Sequence, residues 1–327
     1  MSGVRQSVAT LAAASLWSAA ALAQPAWKPE KAVELIAPSA PGGGTDRTAR
    51  LIQKIWQDRR ALEVPVSVVN KSGGQGAVAL TYLKSHAADP HFLEIASAVV
   101  LTNHIIGAST YSYTDFTPIA MLNSEYVVFA VKTDSPLASL GDLRVRLRKD
   151  PASVSIAVGT SLGGANHVAA AAVARAAGAD AKKLKTIVFK SSAESAVAGL
   201  GGHVDVVISS ASILLPHLTS GAMRFLAVSA PNRLAGPLAA VPTLREQGVD
   251  AAVDNFRFMT APPGIAPEKA AYWEQMLLKV SSAEEWKSDL ARNGWENAWR
   301  GSRDTRAYLD AQYAELKNVL VEMGFAK

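Results

Sequence analysis

The chain has 327 residues, 49% of them hydrophobic and 19% charged, with a formal net charge of +5 and no cysteine. Without cysteine it has no disulfide, no thiolate metal site and no catalytic thiol. The Lys and Arg are scattered with few aromatics among them, which argues against a nucleic-acid surface, while a mild positive balance suits the attraction of small anions.

The first segment reads as a leader. Residues 1–7 carry one cation, Arg5, residues 8–20 are mostly apolar, and Ala21-Leu22-Ala23 has the small-x-small pattern of a cleavage site. This layout predicts a secretory signal peptide over 1–23, cut after Ala23. The apolar run is too short and too rich in alanine for a bilayer span of about 20 residues. A soluble periplasmic protein is therefore expected, with a mature chain of about 300 residues, long enough for two domains.

Residues 32–37 read as a buried strand. Thr45 or Asp46 is expected to cap a helix reaching 59, with Ala49, Ile52, Ile55 and Trp56 on one face. Strands are expected at 64–69 and 92–98, with a helix at 77–85 between them. Such alternation predicts an α/β fold with a parallel sheet covered by helices on both faces. Residues 117–120 and 126–132 look extended, and Ser139 caps a helix to 149. A second α/β unit follows, with strands at 154–158, 186–189, 204–208 and 225–228 and helices at 167–177, 192–200 and 214–220. Proline and glycine at 231–242 and 262–267 mark loops. Past Pro267 the chain reads as helical and rich in Trp, ending in a helix over 304–323 whose aromatics have ordinary core spacing. The expected division is 24–130 plus 229–327 for a discontinuous first domain and 131–228 for the second. Two crossings between domains would make a hinge and a cleft, a favoured place for a ligand.

Three strand–loop–helix units carry glycine-rich loops: Ser39-Ala40-Pro41-Gly42-Gly43-Gly44-Thr45-Asp46, Lys71-Ser72-Gly73-Gly74-Gln75-Gly76, and Gly159-Thr160-Ser161-Leu162-Gly163-Gly164-Ala165-Asn166. Glycine permits sharp turns and leaves N–H groups uncovered, and the helix that follows adds unpaired N–H groups and a positive dipole end. Converging, such loops would hold a carboxylate or phosphate. Gly74-Gln75-Gly76-Ala77-Val78-Ala79 also matches a dinucleotide fingerprint, with Glu94 at a suitable distance, but the pattern is short and recurs by chance. The first loop lacks the Gly-Lys-[Ser/Thr] ending of a P-loop. Gly159-Thr160-Ser161-Leu162-Gly163 matches a hydrolase nucleophile elbow, with Asp205 and His217 following in the required order. An exported serine esterase using Ser161 is thus the enzyme alternative, although His217 falls in a helix and no His-Gly oxyanion segment precedes it. The histidines have no metal spacing, and no cofactor is expected. Asp46 reads as a helix cap.

Lys31-Ala32-Val33-Glu34-Leu35-Ile36-Ala37-Pro38-Ser39-Ala40-Pro41-Gly42-Gly43-Gly44-Thr45-Asp46 resembles the opening strand and loop of the periplasmic receptors of tripartite tricarboxylate transporters, the Bug family. The resemblance continues through Asn70-Lys71-Ser72-Gly73-Gly74-Gln75-Gly76, Asp115-Phe116-Thr117-Pro118-Ile119, Gly201-Gly202-His203-Val204-Asp205 and Val241-Pro242-Thr243-Leu244-Arg245-Glu246-Gln247-Gly248. Val188-Phe189-Lys190, Ala271-Tyr272-Trp273, Glu285-Trp286-Lys287 and Leu309-Asp310-Ala311-Gln312-Tyr313 look most like the citrate-type members. Two departures stand out: the common second loop is Arg-Pro-Gly-Ala-Gly-Gly, and Ala165 stands where many members have Ser or Thr.

The resemblance implies a two-domain, type II periplasmic-binding-protein (Venus flytrap) fold with a ligand cleft between the domains. It also implies a small carboxylate ligand, a citrate-like tricarboxylate favoured, a large and a small membrane subunit as partners, and no catalysis. A monomer is expected. Ser39, Ala40, Gly42, Gly43 and Thr45 would take the proximal carboxylate with Gly73 and Gly74. Thr160, Ser161, Gly164, Ala165 and Asn166 would close on it, with Ser209 and Ser210 at the same sheet edge. Lys190 and Arg257 would supply charge for further carboxylates.

Overall fold

The computed structural model of the protein describes residues 27–158, 163–189 and 191–326. The leader at 1–23 with its cut after Ala23, the residues Thr160 and Ser161, and Lys190 lie outside the described residues.

Two sheets organise the described chain. The first has six strands in the order β11-β4-β10-β3-β1-β2: β1 (Val33–Ala37), β2 (Val66–Asn70), β3 (Phe92–Ser97), β4 (Thr117–Glu125), β10 (Arg257–Ala261) and β11 (Trp295–Arg300). The second has five in the order β7-β6-β8-β5-β9: β5 (Val127–Lys132), β6 (Ser155–Ala157), β7 (Lys185–Ile187), β8 (Val206–Ser210) and β9 (Met223–Val228). Neither sheet is wholly parallel, as strand–helix alternation alone suggests. β1 is parallel to β2 and β3, but β10 runs antiparallel to β3 and β4, and β11 to β4. In the second sheet β6 is parallel to β7 and β8, while β5 is antiparallel to β8 and β9. β5 and β10, the strands by which the chain enters the second sheet and returns to the first, run antiparallel to their neighbours, as does β11.

Helix α1 (Gly44–Asp58) buries Ala49, Ile52, Ile55 and Trp56 against the first sheet. Its 3.6-residue apolar spacing meets the period-2 face made by Val33 and Leu35 of β1 and Leu93 and Ile95 of β3. α8 (Pro267–Ser281) and α9 (Glu284–Arg292) cover the same face, with Trp273 and Trp286 fully buried and Trp295 nearly so. α2 (Ala77–Lys84) and α3 (Val99–Ile105) lie on the other face, and α3 is a helix that the sequence pattern did not indicate. α4 (Leu140–Lys149), α5 (Ala165–Ala176), α6 (Ser192–Leu200) and α7 (Ala211–Thr219) accompany the second sheet. β11 replaces part of the helical run expected past Pro267. Gly294, at φ +64°, breaks the chain after α9, and β11 then pairs with β4 as an edge strand.

The last helix, α10 (Ser302–Glu322), contacts β4 and α3 as well as α5. Its Leu309, Leu316 and Leu320 join one apolar cluster with Ile36 and Phe258 of the first sheet and Phe129, Ile156 and Val168 from the second sheet and α5. The chain crosses between sheets at Tyr126, and Tyr126 forms an antiparallel bridge with Asp254 on the return segment. β5 therefore carries residues 127–130 into the second sheet, ahead of the boundary at 131 expected from the sequence. Residues 229–256 also attach to that sheet, through Ser229 N–H to Val127 O (2.9 Å), Leu244 N–H to Val228 O (2.9 Å) and Val253 N–H to Ser229 O (3.0 Å).

Candidate functional site

The loop between β1 and α1 is held from within. Asp46, in the first turn of α1, is 1% exposed and accepts the Gly42 N–H at 2.8 Å, the Arg50 Nε at 3.0 Å and the Asn70 amide at 2.8 Å. Burial pushes its carboxyl up, but these bonds and the Arg50 charge outweigh that and hold it below the usual carboxylate value. Asn70, at the end of β2, also donates to Ser39 O at 2.9 Å. Thr45 Oγ1 donates to Ser39 Oγ at 2.8 Å. The helix cap is Gly43, in place of Thr45 or Asp46, and Asp46 acts by reaching back to the loop.

The glycines act differently from what the pattern suggests. A Cβ on Gly43 would stand 2.6 Å from Ser39 Oγ, so only glycine lets the loop fold back this closely. The Gly43 N–H goes to Ala40 O at 3.0 Å and that of Gly42 to Asp46, so neither serves an anion directly. The first-turn N–H groups of Gly44, Thr45 and Asp46 have no acceptor within the helix, and they carry the positive end of its dipole.

Beside this helix start lies a cavity of about 360 Å³, lined by Pro38, Ser39, Thr45, Gly73, Gln75, Gly76, Glu94, Ser97, Val99 and Val100. The second glycine loop forms one wall. Gly73 has φ +125°, a conformation reserved for glycine, and the Gln75 carbonyl accepts the Asn103 side-chain amide at 2.8 Å. Among the described residues the lining has hydroxyls, an amide and one acid, and no Lys, Arg or His. The acid, Glu94 on β3, is fully buried, and among the described residues none donates to either of its oxygens. Burial alone pushes its carboxyl up to about 8.

Of the residues singled out from sequence, the structure brings Ser39, Thr45 and Gly73 to this cavity. Ala40, Gly42, Gly43 and Gly74 shape its loops without lining it. Gly164 caps α5, and Ala165 and Asn166 open that helix. Ala165 faces a separate cavity of about 50 Å³ between α3, α5 and α10. Gly163 N–H donates to His167 Nδ1 at 3.0 Å, and burial lowers that imidazole to about 4, so His167 is a neutral acceptor. Ser209 is wholly buried in β8, and Ser210 caps α7 and bonds Glu125.

Arg257 is not among the described residues that line the cavity. Its guanidinium is 2.6 Å from Glu125, 4.4 Å over the Trp295 ring, and so close beneath Gly44 that a Cβ there would overlap it. Glu125 also takes the Trp295 indole N–H at 2.9 Å and the Ser212 hydroxyl at 2.7 Å. The esterase partners are not assembled either. The Asp205 carboxylate accepts the Ser155 N–H at 2.7 Å and hydroxyl at 2.5 Å, while His217 lies on α7. Sequence reasoning passed over Asn70 and treated Glu94 only as part of the dinucleotide pattern. That pattern does place Gln75, Gly76 and Glu94 on one cavity, but Glu94 sits inside β3 and not at a strand end where a ribose would bind.

Comparison with known proteins gives a consistent picture. The family described as tripartite tricarboxylate transporter family receptor matches residues 49–325. The chain is 29% identical to Protein BugT of Bordetella pertussis over 245 residues, which is 73% of this chain and 73% of that protein. A TctC solute binding protein from Polaromonas, solved without ligand, superposes with a TM-score of 0.76 at 25% identity, covering 90% of this chain and 99% of that one. R. palustris Rpa4515, solved with adipate, superposes with a TM-score of 0.79 at 24% identity, covering 91% and 99%.

Proposed function

Since the chain belongs to the receptor family of tripartite tricarboxylate transporters, we propose that it captures a small carboxylate in the periplasm and delivers it to the membrane subunits of such a transporter. It is a substrate-binding receptor and not an enzyme. Its two-domain α/β fold is that of its structural relatives. Among the described residues no helix is long and apolar enough to cross a membrane, so in this reading the membrane steps fall to the partners. The lobes we propose are 27–126 with 257–326, built on the first sheet, and 127–256, built on the second.

The observation that carries the reading is the anchored loop at the start of α1. Asp46 and Asn70 fix Ser39 and Thr45 at a cavity mouth where helix N–H groups favour negative charge. Hydrogen bonds to a charged group contribute about 1.5–3 kcal/mol each, so a few of them sustain micromolar binding, about −8 kcal/mol. The adipate held by the R. palustris relative is a ligand of this size and chemistry. Citrate, the tricarboxylate favoured by the sequence resemblance, belongs in the same test. The purified protein is screened by thermal shift against mono-, di- and tricarboxylates. A true ligand raises the melting temperature with concentration, by about 2.7 kcal/mol of stabilisation at a hundredfold excess over Kd. A flat response to every carboxylate would overturn the proposal.

A further inference from the structure

One residue of the second glycine loop is out of place. Gly73, Gly74, Gln75 and Gly76 all have positive φ, at +125°, +53°, +53° and +100° in turn. Glycine takes such angles without steric cost, whereas a side chain crowds the backbone there. Gln75, at φ +53° and ψ +34°, is the member of the run that is not glycine. Two other described residues with side chains have positive φ, Arg60 and Ala88, and both serve turns. Arg60 closes α1, with its N–H on Gln57 O and that of Ala61 on Trp56 O, the usual use of a left-handed residue. Ala88 lies in the turn after α2, with its N–H on Pro263 O. Gln75 ends no helix; it stands just ahead of α2.

The strained backbone is held by its surroundings. Asn103 on α3, 4% exposed, donates its side-chain amide to Gln75 O at 2.8 Å. The Gly76 N–H goes to Gly73 O at 2.9 Å, and a Cβ at Gly76 would lie 3.8 Å from Pro38, so the second loop packs against the first. A residue in such a conformation persists only where its neighbours fix it, and such residues gather at ligand clamps. Gln75 is an exposed residue on the wall of the 360 Å³ cavity that also holds Ser39 and Thr45. Its carbonyl is taken by Asn103, and its side-chain amide makes no hydrogen bond to any described residue.

A glutamine amide offers two N–H donors and a carbonyl acceptor on a side chain of some length. Glycine at 75 would relax the backbone and present none of them. Resting on the carboxylate-receptor reading, we infer that Gln75 is a specificity-determining residue: with one carboxylate of the ligand at the start of α1, the Gln75 amide donates to a second carboxylate on the same molecule. The strained backbone is the cost of placing that amide on the wall opposite the helix start. A hydrogen bond from a neutral donor is strengthened when its acceptor is charged, so a dicarboxylate gains over the monocarboxylate of the same carbon count.

Calorimetry on the purified protein tests this with matched pairs: succinate against butyrate, glutarate against valerate, and adipate against hexanoate. At least one dicarboxylate should bind about tenfold more tightly than its partner, as one hydrogen bond to a charged group allows. Gln75→Gly should remove most of that preference, leave the affinity for the monocarboxylate within about twofold, and raise the melting temperature of the ligand-free protein, because the strain is relieved. Gln75→Ala keeps the strain and removes the amide. It should lose the same preference without the rise in melting temperature, which separates the missing amide from a loosened loop. A wild type that prefers no dicarboxylate, a preference that survives in both variants, or equal losses for both members of a pair overturns the role of Gln75 and leaves the receptor reading standing. A melting temperature that does not rise in Gln75→Gly overturns the claim that strain is kept for the contact. Failure of the wild type to bind any of these acids, together with a flat carboxylate screen, overturns the receptor reading and this inference with it.

Discussion

Arg257 and Glu125 form an ion pair that is almost free of water, with side chains 6% and 3% exposed. Burial pushes Glu125 up, but the Arg257 charge and bonds from Ser212, Arg257 and Ser210 more than offset it, leaving the carboxyl below its usual value. Removing one partner strands the other charge. Arg257→Gln should therefore destabilise the protein by about 3–5 kcal/mol in denaturant unfolding. A loss below about 1 kcal/mol would mean that the pair is much wetter than its burial indicates. Glu94 gives the opposite dependence on pH. Its folded value of about 8 lies above the ordinary 4.5, so the folded state holds the proton more tightly. Its contribution to stability is full below about 4.5 and fades as pH rises through about 8, by up to about 1.4 kcal/mol per pH unit. In the absence of ligand, the melting temperature of Glu94→Gln should fall less between pH 5 and pH 8 than that of the wild type, and parallel pH profiles would contradict this.

At the level of the element, the start of α1 depends on residues that touch no ligand in the proposed reading. Asp46→Ala removes the acceptor for Gly42, Arg50 and Asn70 at once. Carboxylate affinity should drop tenfold or more, about 1.4 kcal/mol, with the fold retained by circular dichroism. Gly43→Val should do the same by pushing Ser39 off its position. Unchanged affinity in both variants would remove the loop from the site. The glycine runs made this loop legible in the sequence, because strand–Gly–helix is a local pattern. Its internal bonding was not legible. Asn70 reaches Ser39 and Asp46 from the end of the next strand, and nothing local marks that contact. For the same reason Arg257 reads as a free cation until Glu125 is brought beside it. β10 and β11 escaped notice because Pro, Gly and Trp around them suggest loop and helix, while their pairing to β3 and β4 is entirely non-local.

Across the whole molecule, α10 ties the two sheets together. Leu320 is fully buried in the shared cluster, and a Cβ on Gly163 would lie 3.5 Å from it. Leu320→Ala should cost about 2–5 kcal/mol by leaving a cavity in a close-packed region. If the sheets rely on other contacts for their mutual support, calorimetry will show a smaller loss and an unchanged single transition. The sheet order carries a further consequence, for the time course of self-assembly. β10 is wedged between β3 and β4, yet it arrives only after the whole second sheet has passed. The second sheet is built from one continuous stretch of chain, whereas the first has an open slot until β10 fills it. Non-local pairing of this kind is slow, because the connecting loop must close before any contact rewards it. Pulse-labelled hydrogen exchange during refolding should therefore protect the amides of β5, β8 and β9 before those of β3 and β4. Until the slot closes, the facing edges of β3 and β4 are unpaired templates for another chain, so aggregation should be most severe early in refolding and should increase in variants that slow the docking of β10.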